Sequence, residues 1–277
     1  MSDALARRIA PPAASAESSI PVRRLTSERT LIHKFGEAMT MKLWTDLKHA
    51  PGICVPLILA CSAAVAAGAA ATNYPSMAPI AQYLSASQAD EITLARSAAP
   101  AAISKDAEIL VLGPNGYETA VAGKSHFVCM VERAWAKNFD DADFWNPKVR
   151  APHCFNPAAH SVLSAYLKRT EWVLAGVSPK DMATRTQVAI TSHEMPPPDV
   201  GAMAYMMSKD GYLGDDVHGA WHPHLMFYLP RTNVGVWGAN LKDSPIFGDD
   251  SWPEPVTVFF IPVEHWSDGT RAETAAH

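Results

Sequence analysis

Two apolar runs, Gly201 to Ser208 and Trp221 to Leu229, flank a connection rich in Gly, Asp and His, and the rest of the chain is arranged around them. The first run carries no charge and predicts a buried strand. The second alternates with period two and predicts an antiparallel neighbour. Its pleat puts Trp221, Pro223, Leu225, Phe227 and Leu229 on one face, expected to be core, and His222, His224, Met226 and Tyr228 on the other. Pro223 cannot donate to a ladder, so the strand begins there or runs along an edge.

Upstream, residues 74–103 read as helical, with Ser87 as cap, Ile92, Leu94 and Ala95 as the apolar stripe, and Pro100 at the end. The period changes at Glu108. Ile109 to Leu112, Tyr117 to Ala122 and Phe127 to Val131, separated by turns at Gly113 to Gly116 and at Gly123-Lys124-Ser125, predict a three-stranded meander. Asn138 to Asn156 shows little periodicity and reads as a loop containing Asp140, Asp141, Asp143, Pro152 and His153. The acidic trio there lacks the glycine and distal glutamate of a calcium loop and reads as a solvated face. Asn156-Pro157 opens a helix expected to end near Arg169, and Ser178-Pro179 opens another through Val188. Pro196 to Pro198 is a stiff connector, Val256 to Val263 a final strand, and the tail after Asp268, residues 271–277 above all, is expected to be disordered. The fold class predicted is α+β: one domain over 72–270, with an antiparallel sheet of meander plus central strands and flanking helices.

The first 71 residues do not fit that domain. Residues 1–38 are polar and unpatterned, an over-extended or disordered N-terminus, and Met39 or Met41 opens a stretch with Lys42 and Lys48 before the apolar run Ile53 to Ala70. With Ala69-Ala70-Ala71 at its end, 39–71 has the form of a signal peptide, and the protein is expected to be periplasmic or secreted. A membrane anchor and a lipid anchor through Cys61 in Ile58-Leu59-Ala60-Cys61 are the alternatives; the glycine, proline and many alanines of the run favour cleavage, which would leave no membrane attachment. The remainder keeps 15 of the 23 basic and 23 of the 28 acidic residues, a net charge near −8, which argues against nucleic acid as a partner. Cys54 and Cys61 leave with the signal. Cys129 and Cys154 remain in an oxidising compartment and are expected to form one disulfide, tying the 138–156 excursion back to the strand of Cys129.

Potential chemistry gathers between the two central runs. His222 and His224 share a strand face with Cα atoms roughly 6.5 to 7 Å apart, and His218 lies on the preceding loop with Asp215 and Asp216. Such a set suits Zn²⁺ or a similar divalent ion, and hydrolysis by a metal-activated water would be its chemistry. The competing expectation makes these histidines polar structural residues beside a groove, with no cofactor. Gly123-Lys124-Ser125 imitates the end of a phosphate-binding loop, but Glu118 stands where that motif needs glycine and no helix pattern follows, so it reads as a hairpin turn. No Gly-x-Ser-x-Gly elbow is present, and Met203, Met206 and Met207 at strand spacing read as core.

Ser97-Ala98-Ala99-Pro100, Gly116-Tyr117-Glu118-Thr119, Phe127-Val128-Cys129, Gly201 to Asp215 and Trp221 to Phe227 together resemble a group of exported bacterial proteins with no assigned activity. The resemblance spans most of Tyr74 to Thr270. It implies export and a single domain and supplies no catalytic residues. The function expected is therefore an exported domain that binds a small molecule or a partner, or serves a structural role, with a metal-dependent hydrolase at His218, His222 and His224 as the alternative.

Overall fold

Strands form where aliphatic and β-branched residues run together, and helices where an Asx or Ser cap precedes a 3.6-residue stripe. The structure, a computed structural model, describes residues 74–215 and 222–272. The strands are β1 (Glu108–Gly113), β2 (Gly116–Val121), β3 (Val128–Glu132), β4 (Ala151–Phe155), β5 (Met203–Met206), β6 (His224–Pro230), β7 (Phe247–Asp249) and β8 (Val256–Pro262). They make one sheet in the order β2-β1-β3-β4-β5-β6-β8-β7. Every neighbouring pair is antiparallel except β1 and β3. With the helices α1 (Gln88–Arg96), α2 (Ala101–Ser104), α3 (His160–Leu174) and α4 (Pro179–Thr191), this is the α+β domain expected from the sequence.

The caps act as their residues dictate. Ser87 accepts from the Asp90 N–H, Asn156 from the Ala159 N–H and Ser178 from the Asp181 N–H, each satisfying a donor that the first helical turn leaves open. The first helical stretch is divided: α1 stops at Arg96, and α2 restarts after Pro100. Helix α3 runs one and a half turns past the expected end at Arg169, because Thr170, Trp172 and Val173 continue its buried side.

The pleat gives the sheet two buried faces. On one, Ile109, Val111, Cys129, Val131 and Cys154 pack with Ala95, Ala98 and Ala99 beside α1. Cys129 and Cys154 stand directly opposite one another on β3 and β4 and are joined as a disulfide, as expected. On the other, Leu110, Met130, Phe155, Met206, Met226 and Tyr228 form the larger core with residues of α3 and α4. Glu91 of α1 reaches Arg133 just beyond β3, with Nη2 at 2.8 and 2.9 Å from the two carboxylate oxygens, and both side chains are buried. The Arg133 Nε–H also donates to the Tyr83 carbonyl at 2.7 Å, so the guanidinium is enclosed by acceptors.

Four expectations are corrected. The first three strands are not a meander, because β3 pairs with β1 in parallel, Glu108 beside Val128 and Ile109 beside Cys129. The cause lies in the 122–127 connection. It crosses the start of β1, Lys124 and Ser125 donating to the Asp106 carbonyl at 2.7 and 3.0 Å, instead of folding back along β2. A Cβ on Gly123 would lie 2.3 Å from the Glu108 backbone nitrogen, so this crossing, and not a hairpin, is what requires the glycine. Second, the supposed loop 138–156 ends in β4, a central strand buried at every position. Pro152 concealed it; β5 pairs with β4 only at Cys154 and Phe155, so on that side of the proline there is no ladder to break. Third, the faces of β6 are reversed: Met226 and Tyr228 are buried in the main core, while Leu225, Phe227 and Leu229 are half-buried. A smaller cluster covers that second face, Trp237 lying between Phe227 and Phe259. Fourth, the chain after Asp268 is ordered through Ala272, whose N–H donates to the Glu264 carbonyl at 2.8 Å, with His265 and Arg271 bridged. The predicted signal segment, the start methionines, Cys61 and the last five residues lie outside the described residues.

Candidate functional site

The buried side of the sheet does not close completely against the helices. Between them lies a cavity of about 380 Å³. Its floor comprises side chains of one face of five adjacent strands, including Glu132 of β3, His153 of β4, Met206 of β5, Met226 of β6 and Val258 of β8. Its walls come from α3 through Ser161, Ala165 and Arg169, from residues 136–141 and 195–198, and from the stretch Asp249 to Val256 that leads into β8. The lining is mainly apolar. Its volume lies within the range of clefts that hold ligands.

Two polar pairs interrupt the apolar lining. Glu132 and His153 are diagonal neighbours on the β3–β4 ladder, with Oε2 3.1 Å from Nδ1. Burial pushes the Glu132 carboxyl up to about 8 against the opposing influence of Arg169, and burial pushes the His153 imidazole down to about 4 against its backbone contact with Ala151. Burial therefore favours the uncharged form of each partner. His153 Nδ1 is also 3.2 Å from the Ala151 carbonyl, and Nε2 is 3.2 Å from Met226 Sδ. Although an imidazole backed by a carboxyl resembles part of a hydrolase triad, the outward nitrogen here faces a thioether and no nucleophile. The second pair is Arg169 with Glu254, joined by a short charge-assisted contact. Arg169 also donates from Nη1 to the carbonyls of Trp135 and Lys137 at 2.9 and 2.8 Å, and its guanidinium sits 4.4 Å from the Phe139 ring centre.

The residues singled out from the sequence are scattered around this site. His224 lines the cavity from β6; its Nδ1 is 2.9 Å from the His222 carbonyl, its ring meets Phe260 edge-on, and burial lowers its pKa to about 4. His222 precedes the strand and is half-exposed. Asp215 is engaged elsewhere: Tyr74, Tyr212 and Lys148 all donate to it, and the tyrosine hydrogen bonds hold its carboxyl below the ordinary range. His218 lies outside the described residues. Among the described residues no three of His, Cys, Asp and Glu are grouped so as to hold a metal ion.

Sequence reasoning missed Glu132, Arg169, Trp252 and Glu254, and placed His153 in a loop. A usable signal was present in the Cys129–Cys154 pairing. If those two residues face one another on antiparallel strands, then His153 must stand opposite Met130, on the same face as Glu132.

Compared with protein families, curated proteins and solved structures, the chain finds no match.

Proposed function

We propose that this is an exported domain that binds a small, predominantly apolar molecule in the cavity between the sheet and α3. The observation that carries the reading is the cavity itself. Its size lies in the range of ligand pockets, and its few polar groups are positioned by strands and a helix, the rigid parts of the fold. The space opens to solvent, so a small molecule can enter it and lie against methionine, tyrosine and valine side chains. The flexible side chains of Met195, Met206 and Met226 suit a pocket that adapts to its contents. Export is supported by the disulfide, which persists in an oxidising compartment, and by the signal-like segment of the sequence.

The test is saturable binding of the neutral fluorophore N-phenyl-1-naphthylamine to the purified protein. Wild type should bind it with enhanced fluorescence, and Ala165→Phe or Ala136→Phe, each placing a ring in the cavity, should weaken binding by at least about tenfold while circular dichroism stays native. Absence of saturable binding, or equal binding by both filled variants, would leave the structural or partner-binding role.

A further inference from the structure

The pleat turns Glu132 to the same side of the sheet as Ala151 and His153, its neighbours on β4, and all three line the cavity. The Glu132 side chain is nearly buried, with 10% of its surface exposed, and its carboxyl has one polar contact among the described residues, from Oε2 to His153 Nδ1 at 3.1 Å. No described donor reaches Oε1. That oxygen is nevertheless not sealed off by protein, so the space open to it is the cavity. A carboxyl oxygen in such a place is an acceptor available to whatever enters.

Charge narrows the class. Each lysine or arginine among the described lining residues already has a carboxylate: Arg133 has Glu91, Lys137 has Asp141 and Asp143, and Arg169 has Glu254. Glu132 and Asp249 line the same space with no such partner, Asp249 accepting only from Ser251. An anion would meet carboxyl groups there and no uncommitted lysine or arginine, whereas a cation supplies the charge that Glu132 lacks. The rings of Tyr166, Tyr228 and Trp252 line the cavity as well, and aromatic faces attract cations. Resting on the small-molecule reading above, we infer that the ligand is a protonated amine on an apolar body, with its ammonium at Glu132 Oε1 and its hydrocarbon against Met206 and Met226. A proton balance follows. With no opposite charge held against it, burial pushes the Glu132 carboxyl up to about 8. An ammonium at Oε1 favours the carboxylate, so binding near neutral pH releases the carboxyl proton to solvent. The titratable groups around Glu132 are His153 of β4, His224 and Tyr228 of β6, Arg169 and Tyr166 of α3, Tyr117 of β2, and Glu254 before β8. The two imidazoles are lowered to about 4 and the three phenols are raised, so none of these five changes charge between pH 6 and 8.

The experiment displaces N-phenyl-1-naphthylamine from the purified protein with octylammonium, octanoate and octanol, three probes of equal chain length, at pH 6, 7 and 8. At pH 8 octylammonium should displace at concentrations at least about tenfold below octanoate, and its affinity relative to octanol should rise by at least about tenfold from pH 6 to 8 as the carboxyl ionises. Glu132→Gln should abolish that rise and lower the ratio of octylammonium to octanol affinity at pH 8 by at least about tenfold. Should the variant fail to fold, the pH series on wild type decides alone. Displacement by octanoate equal to or better than that by octylammonium, failure of octylammonium to displace a bound dye, an affinity ratio that does not change with pH in wild type, or a ratio unaltered in Glu132→Gln would overturn the inference and leave the binding reading standing. Failure of the dye itself to bind would overturn both.

Discussion

Glu132 and His153 meet diagonally across two adjacent strands, carboxyl oxygen 3.1 Å from imidazole nitrogen, and burial disfavours the charged form of both. The two shifts act on stability in opposite directions. Glu132 is raised from 4.5 to about 8, so the stability it contributes is fully present below 4.5 and is lost as the pH rises through about 8. His153 and His224 are lowered from 6.5 to about 4, so their contribution is present above 6.5 and is lost as the pH falls toward 4. Urea unfolding across pH 4 to 9 should show maximal stability around 6.5. Glu132→Gln should flatten the alkaline fall between about 6.5 and 8; an unchanged fall in that variant would refute the assignment.

The disulfide closes a segment of 25 residues between neighbouring strands. Constraining the unfolded chain to that extent is worth about 3.5 kcal/mol in the chain-entropy picture, so Cys129→Ser or Cys154→Ser should cost on the order of 2 to 5 kcal/mol. Denaturant curves of wild type with and without reductant should differ by a similar amount. Free thiols found by alkylation of native protein would contradict the pairing.

Glu91 and Arg133 form a buried ion pair, and deleting one partner strands the other charge away from water. Glu91→Gln or Arg133→Met should each destabilise by about 3 to 5 kcal/mol, while the double variant should cost less than the sum of the two. Strict additivity in a double-mutant cycle would mean that the pair is not coupled.

Gly123 lies against the Glu108 backbone, where an added Cβ would sit 2.3 Å from the nitrogen and 2.9 Å from Cα. Gly123→Ala should therefore lower stability by about 1 to 3 kcal/mol, by forcing the crossing away from β1. Gly269→Ala, at a glycine of φ 83° with nothing near its added Cβ, separates the two causes: it should cost only the strain of that backbone angle. A Gly123→Ala protein of wild-type urea midpoint would mean that the crossing shifts without cost.

The sequence disclosed its helices well, since Ser87, Asn156 and Ser178 are local signals and the structure uses each as a cap. Its strands were legible where the run was apolar, as in β1, β5 and β8. Pairing was not: nothing in Val128 to Val131 reveals that the neighbour is β1, since that depends on where the 122–127 connection travels. On β6 the alternation was correct and the assignment of faces wrong, because both faces carry large apolar residues and only the sheet's context decides which is covered. The cavity escaped for a related reason. Its polar groups come from β3, β4, α3 and the approach to β8, each unremarkable in its own stretch, whereas the histidine cluster that drew attention is dense in sequence.

The two faces of the sheet also differ in when a growing chain can complete them. The face beside α1, with Ala95, Ala98, Ile109, Val111, Cys129, Val131 and Cys154, has its buried core built entirely from residues before Phe155. The opposite face needs β5, β6 and β8, which arrive up to a hundred residues later. A chain delivered N-terminus first can thus bring its two cysteines together on a half-finished sheet, before the floor of the cavity exists. A link made at that stage would fix the alignment of β3 with β4 in advance, and later strands would dock onto a template on which Glu132 and His153 already point to the same side.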